Sequence, residues 1–120
     1  MGQKVVEIFI GSNGKRLFVT DHQKFTVTQY TLHNPYDTSS FTKDGSVSIQ
    51  DLTSDNNRQT RALAFSKSGL KMFVSDDEGD DEIFEFNLVC PFNLFGGKCD
   101  SIAEDKDRMG MAEAQIELAN

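Results

Sequence analysis

Short runs of β-branched and aromatic residues recur along the chain, each closed off by Gly, Asp, Asn or Ser. Runs of this kind predict strands joined by tight turns, because branched and aromatic side chains pack well on a pleated surface while the flanking residues tolerate chain reversal. In the first half the pattern predicts strands over 5–10, 16–20 and 25–32, turns at Ser12-Asn13-Gly14 and over 21–24, and a fourth, outer strand over 46–52. There Val47, Ile49 and Asp51 alternate with Ser46, Ser48 and Gln50, as on an edge strand with one wet face. The second half predicts strands over 61–65, 71–75 and 82–88.

The two halves repeat one another. Residues 14–21 read GKRLFVTD and residues 69–76 read GLKMFVSD; residues 29–37 read QYTLHNPYD and residues 85–93 read EFNLVCPFN. Upstream of each glycine, Ile8-Phe9-Ile10 corresponds to Leu63-Ala64-Phe65. The offset of about 55 residues suits units of four strands and falls in the range of propeller blades. Gly14 and Gly69 stand at equivalent hairpin positions, where a positive φ reverses the chain and glycine accepts it without steric cost, so Gly69 is expected to resist replacement. Leu17-Phe18-Val19 and Met72-Phe73-Val74 are apolar on consecutive positions, which predicts a second strand buried on both faces in each unit. Pro35 and Pro91 end the third strands, and the aromatics that follow, Tyr36 and Phe92, are expected to pack over the strand ends. Phe9, Phe18, Tyr30, Phe65, Phe73, Phe86 and Phe92 read as core rather than as a ligand-stacking platform.

The fold class expected is therefore all-β. It comprises two antiparallel, mostly four-stranded sheets of propeller-blade type over 1–53 and 54–94, followed over 95–120 by a Gly/Cys turn and a helical tail. Two such units are too few to close a propeller, so the reading is of an incomplete one. The strand pattern is already under way at Val5, which leads to the expectation of further sequence upstream. In the tail, Ser101 and Glu104 form a capping box, and Met109, Ala112, Ile116 and Ala119 recur at helical spacing. An amphipathic C-terminal α-helix is predicted, weakened at Gly110 and starting near Asp107, with its apolar stripe packed on the outer sheet or on further sequence.

These blocks resemble the repeats of bacterial β-propeller proteins of surface or secreted type, in which an aliphatic-aromatic-Val strand, an acidic turn and an aromatic-rich strand end in Pro-aromatic-Asp/Asn. The resemblance covers about three quarters of the chain and departs from WD and kelch repeats, whose Gly-His/Trp-Asp and Gly-Gly marks are absent. It implies a non-catalytic scaffold that binds a protein or glycan through its loops, at the cell surface or outside the cell, as part of a longer protein. The stretch from Cys90 to Leu118 is similar to the junction after a last blade, which implies a downstream, autotransporter-like domain.

Composition narrows the partners. A net charge of -7 and a pI near 4.7 oppose a nucleic-acid or anionic-membrane surface. No apolar run is long enough to insert into a membrane, and the first residues lack the succession of a signal peptide. Met1-Gly2 does not extend to a myristoylation motif, because Val6 stands where Ser or Thr is required. Cys90 and Cys99 flank a Gly-Gly turn: in an oxidising compartment they would close a small loop, in a reducing one they would stay free, and the paired count favours the bridge. Zinc is disfavoured, since His22 and His33 lie far upstream and no ligand spacing joins them to the cysteines.

Residues 76–82 form the densest acidic stretch. Asp76, Asp77, Asp80 and Asp81 are calcium candidates by oxygen content, but the loop lacks EF-hand register and its counterpart over 21–24 is not acidic, so a solvated turn is the simpler reading and no cofactor is expected. No nucleophile elbow, phosphate loop or His-Glu-x-x-His motif is present. Two alternatives to a scaffold remain: a fragment of a sugar-lactonase-like propeller hydrolase, which would need metal ligands from several blades, and a self-assembling module whose exposed blade faces complete one another.

Overall fold

The computed structural model describes residues 5–21, 25–49, 60–76, 83–95 and 116–118, and among these every regular element is a strand. The first sheet is formed by β1 (Val5–Gly11), β2 (Arg16–Asp21), β3 (Thr26–Asn34) and β4 (Asp37–Ser48). The second is formed by β5 (Thr60–Phe65), β6 (Lys71–Asp76), β7 (Ile83–Leu88) and β8 (Ile116–Leu118). Each is an antiparallel meander in which every strand pairs with its neighbour in sequence. Local hairpins make every pairing except that of β7 with β8, and no crossover is needed.

The internal repeat is reproduced pair by pair. Phe9 lies opposite Phe18 as Ala64 lies opposite Phe73; Leu17 opposite Tyr30 as Met72 opposite Phe86; Arg16 opposite Thr31 as Lys71 opposite Asn87. Even the irregularities match, with a register shift between Val5 and Glu7 in the first sheet and between Thr60 and Ala62 in the second. A bulge flips the alternation of side chains, so its repetition keeps the same positions on the same faces in both units.

Three expectations need correction. The first outer strand is not confined to 46–52: β4 begins at Asp37, directly after the Pro35-Tyr36 turn, where Asn34 pairs with Asp37. Its polar first half disguised it, because an edge strand with exposed Thr38, Ser39, Thr42 and Lys43 reads as a loop. In the tail, Ile116–Leu118 is not helical but extended, and pairs with β7 through Leu88, Asn87 and Phe86. Ile116 fits the helical stripe with Met109 and Ala112 but also alternates with Leu118 at a period of two, and the edge of β7 decides between them. The rest of the expected helix, with its capping box, lies outside the described residues. The second sheet thus draws its fourth strand from the stretch read as turn and tail. Finally, Phe73 is not sealed: Leu17, Phe18 and Val19 are all buried, but in the second unit only Met72 and Val74 are.

The sheets pack with unlike faces together. The face of the first sheet that carries Phe18, Val27, Val47 and Ile49 meets the face of the second that carries Leu63, Phe65, Met72, Val74, Phe86 and Leu88. Phe65 is central, its ring 4.4 Å from that of Phe18 and 5.0 Å from that of Phe9. In repeat terms Phe18 corresponds to Phe73, and Met72 and Val74 to Leu17 and Val19. The first sheet therefore offers its Phe face and the second its Met/Val face. The other side of the first sheet holds a separate apolar cluster of Leu17, Val19, Tyr30 and Leu32, edged by Ile10. The other side of the second sheet is open, with Ala62, Ala64 and Ile83 exposed around a half-buried Phe73.

Candidate functional site

The two sequence-marked glycines share one local device. Gly14 and Gly69 have φ of 86° and 78°, and the aromatic after each proline also sits in the left-handed region, Tyr36 at 61° and Phe92 at 52°. Tyr36 N–H donates to the Gly14 carbonyl at 2.8 Å and Phe92 N–H to the Gly69 carbonyl at 2.9 Å. Each ring lies against its glycine so closely that a Cβ at Gly14 would fall 2.4 Å from Tyr36, and one at Gly69 2.3 Å from Phe92. The expectation that these aromatics pack over strand ends describes this latch, in which a residue with no side chain admits a ring.

Beyond the latch the units diverge. Phe92 is gripped on its far side by the first sheet, where a Cβ at Gly11 would fall 2.6 Å from its ring and Phe9 lies 6.3 Å away, and by Phe65 of its own sheet at 5.5 Å. Arg16 Nη1 donates to the Phe92 carbonyl at 3.0 Å. Burial lowers the Arg16 pKa from its ordinary value, and the Asp44 carboxylate nearby opposes that shift. The next residues form a polar clasp: Gln29 Nε2 donates to Asp44 Oδ2 at 2.9 Å and to Asn93 Oδ1 at 3.3 Å, while Gln29 Oε1 accepts from Leu94 N–H at 2.6 Å. Thr31 Oγ1 donates to Asp44 Oδ2 at 2.6 Å, and Phe95 N–H to Asn93 Oδ1 at 3.0 Å. Gln29, Asp44 and Asn93 are all buried, so each partner offsets a desolvation penalty that would otherwise oppose folding.

Tyr36 has no such cover and is 69% exposed. Asp37, the counterpart of Asn93, makes the same turn by accepting from Ser39 N–H at 2.9 Å and from Ser39 Oγ at 2.6 Å. The Ser39 hydroxyl, then its N–H, hold the Asp37 carboxyl below its ordinary value. On the outer face of the second sheet stand the counterparts of Arg16, of its neighbours Gln29 and Thr31 and of Phe18, while those of Phe9 and Gly11, which touch the Phe92 ring, are Ala64 and Ser66. Lys71 corresponds to Arg16, Glu85 to Gln29, Asn87 to Thr31 and Phe73 to Phe18. Lys71 Nζ bonds to Glu85 Oε2 and, at 3.1 Å, to Asn87 Oδ1. The polar part of this layout is thus present twice, engaged by Phe92 and Asn93 on the first sheet and open on the second.

Of the residues singled out from sequence, the structure brings Gly14 and Gly69 into equivalent turns. Cys90 is buried and disulfide-bonded; Cys99, the chain's other cysteine, lies outside the described residues. Of the calcium candidates, the Asp76 backbone pairs with Thr60 at the end of β6, and Asp77, Asp80 and Asp81 lie outside the described residues. Among the described residues no three His, Cys, Asp or Glu side chains converge as metal ligands. His33 Nδ1 lies 2.6 Å from Ser40 Oγ, but its Nε2 faces the Thr42 hydroxyl at 2.9 Å, where a catalytic Ser–His pair uses a carboxylate. The clasp residues Gln29, Asp44 and Asn93 escaped the sequence reading; the available signal was a polar side chain at position 29 beside the core residue Tyr30. No family model matches this chain, and no curated protein or solved structure is detectably similar to it.

Proposed function

We propose that this chain is a pair of β-propeller-type repeats acting as a non-catalytic scaffold in a longer secreted or cell-surface protein, its sheets supplying rigidity and its connecting loops meeting a protein or glycan ligand. The observation that carries the reading is the packing of unlike faces between two units that share the register of their first three strands and the same latch. A unit that offers one kind of face and receives the other can be added one after another in one direction until the array closes into a ring or is capped, which is how propellers and other repeat arrays are built. A disulfide-bonded Cys90 supports an oxidising compartment. The acidic balance disfavours nucleic acid, and no helix among the described residues is long and apolar enough to cross a membrane.

The coding sequence on either side of these residues tests the scaffold. Further units are expected with a glycine turn and a Pro-aromatic-Asx turn at the same spacing, and none on either side would overturn the reading. The compartment is tested separately by counting thiols on protein purified without reductant. None is expected, and two reactive thiols would remove the support that Cys90 gives to export.

A further inference from the structure

We propose that the outer face of the second sheet is a docking site for the Pro35-Tyr36-Asp37 turn of a second copy of this chain, joined head to tail. The inference rests on the repeat reading in that it treats Tyr36 and Phe92 as equivalents. Its template lies inside the molecule, where the Pro91-Phe92-Asn93 turn of the second unit seats on the first sheet under Arg16 and Gln29. The second sheet repeats the polar part of that seat with Lys71 and Glu85, beside Phe73, and leaves it in solvent: the Lys71 and Glu85 side chains are 46% and 38% exposed. The first unit repeats the inserted turn and leaves it in solvent as well, with one side of the Tyr36 ring on Gly14. In the docked pair Lys71 donates to the Tyr36 carbonyl as Arg16 does to that of Phe92, the Tyr36 ring lies on Ala64 and Ser66, the counterparts of Phe9 and Gly11, and Ile10 of the incoming copy covers Phe73 as Phe65 covers Phe18.

Because seat and turn are different surfaces, the contact is heterologous and its geometry does not limit the assembly to two copies. Three exchanges weaken it relative to the internal contact. Glu85 replaces Gln29 and Asp37 replaces Asn93, so two carboxylates approach with Lys71 as their counter-charge, and Ser66 replaces Gly11 where the ring must come close. Like charges across a contact suppress association, so the wild-type chain joins weakly and the charge-neutral pair joins more tightly.

Sedimentation equilibrium of the whole chain tests this. The weight-average mass is expected to rise from that of the 13.4 kDa monomer in dilute solution. It should reach about 1.5-fold or more near ~1 mM, as follows from a Kd of about 1 mM. The double variant Asp37→Asn with Glu85→Gln rebuilds the internal amide pair and is expected to associate about tenfold more tightly. Phe73→Lys and Tyr36→Ala, each confirmed as folded by circular dichroism, should each stay monomeric alone and form a heterodimer when mixed, since each retains the half the other lacks. A double variant that is monomeric at ~1 mM, association that Phe73→Lys leaves unchanged, or a mixture that does not recover association would overturn the docking. Such a failure is distinct from failure of the scaffold reading, which depends on the flanking sequence and not on self-association.

Discussion

Phe18 and Phe73 occupy the same register position in two units of matching sequence pattern, one sealed between sheets and the other half open on a wet face. The same contrast separates Phe92 from Tyr36, Gln29 from Glu85 and Arg16 from Lys71. In each pair the buried member is apolar or neutral, or is an arginine whose planar head retains its hydrogen bond when desolvated, and the exposed member is more polar or bears a compact charge. Within a unit, sequence decides which strands form and which residues share a face. Position in the stack then decides which face loses its water.

That contrast can be broken most severely at the core phenylalanine. Phe18→Ala is expected to lower unfolding stability by roughly 3–5 kcal/mol, because the ring is fully enclosed against Phe65, whereas Phe73→Ala should cost about 1 kcal/mol or less. Urea denaturation of both variants checks the ratio, and equal losses would remove the distinction between the two faces. Next come the latches. Gly69→Ala forces a side chain into a positive φ and into Phe92, which the first sheet holds in place, for a loss of about 3 kcal/mol or more. Gly14→Ala meets a Tyr36 ring that can swing into solvent, so only the backbone strain of about 1–2 kcal/mol remains. The order of the two melting temperatures is the readout.

The clasp is sharpened by a third pair. Gln29→Ala strands the Leu94 N–H and removes donors from buried Asp44 and Asn93, for an expected loss of roughly 2–3 kcal/mol. Glu85→Ala at the equivalent exposed position should stay within about 0.5 kcal/mol. The smallest effect concerns pH. Asp37 and Asn93 make the same turn, but only Asp37 titrates, and its folded pKa is depressed chiefly by the Ser39 hydroxyl. Its contribution is therefore present above the unfolded carboxylate value and fades as pH falls through the folded one. Ser39→Ala should move the Asp37 carboxyl titration, followed by carbon NMR, up toward the ordinary value; an unmoved titration would reject the hydroxyl as the cause.

The strands of both units were legible because their apolar runs are short and their turns carry Gly, Asn, Asp and Pro at repeated spacing. The glycine turns and the packing of Tyr36 and Phe92 were legible for the same reason. The first half of β4 was not, since an edge strand with two wet faces has no hydrophobic period. Nor was β8, because Ile116–Leu118 takes its conformation from the open edge of β7, a partner nearly thirty residues upstream. The clasp of Gln29, Asp44 and Asn93 joins side chains from β3, β4 and the segment after β7, and no local pattern announces a hydrogen bond over such distances. The open seat on the second sheet became visible only once its filled counterpart was known.

The glycine–aromatic latch closes each unit upon itself. Ring, glycine and the bond between their backbones come from a single stretch of chain, so a duplicated gene segment carries its own fastening and needs nothing redesigned in its host. What a duplicate cannot carry is its neighbour, and its exposed flank must then be made hydrophilic or find a new companion. Lys71 and Glu85 bear the mark of the first course.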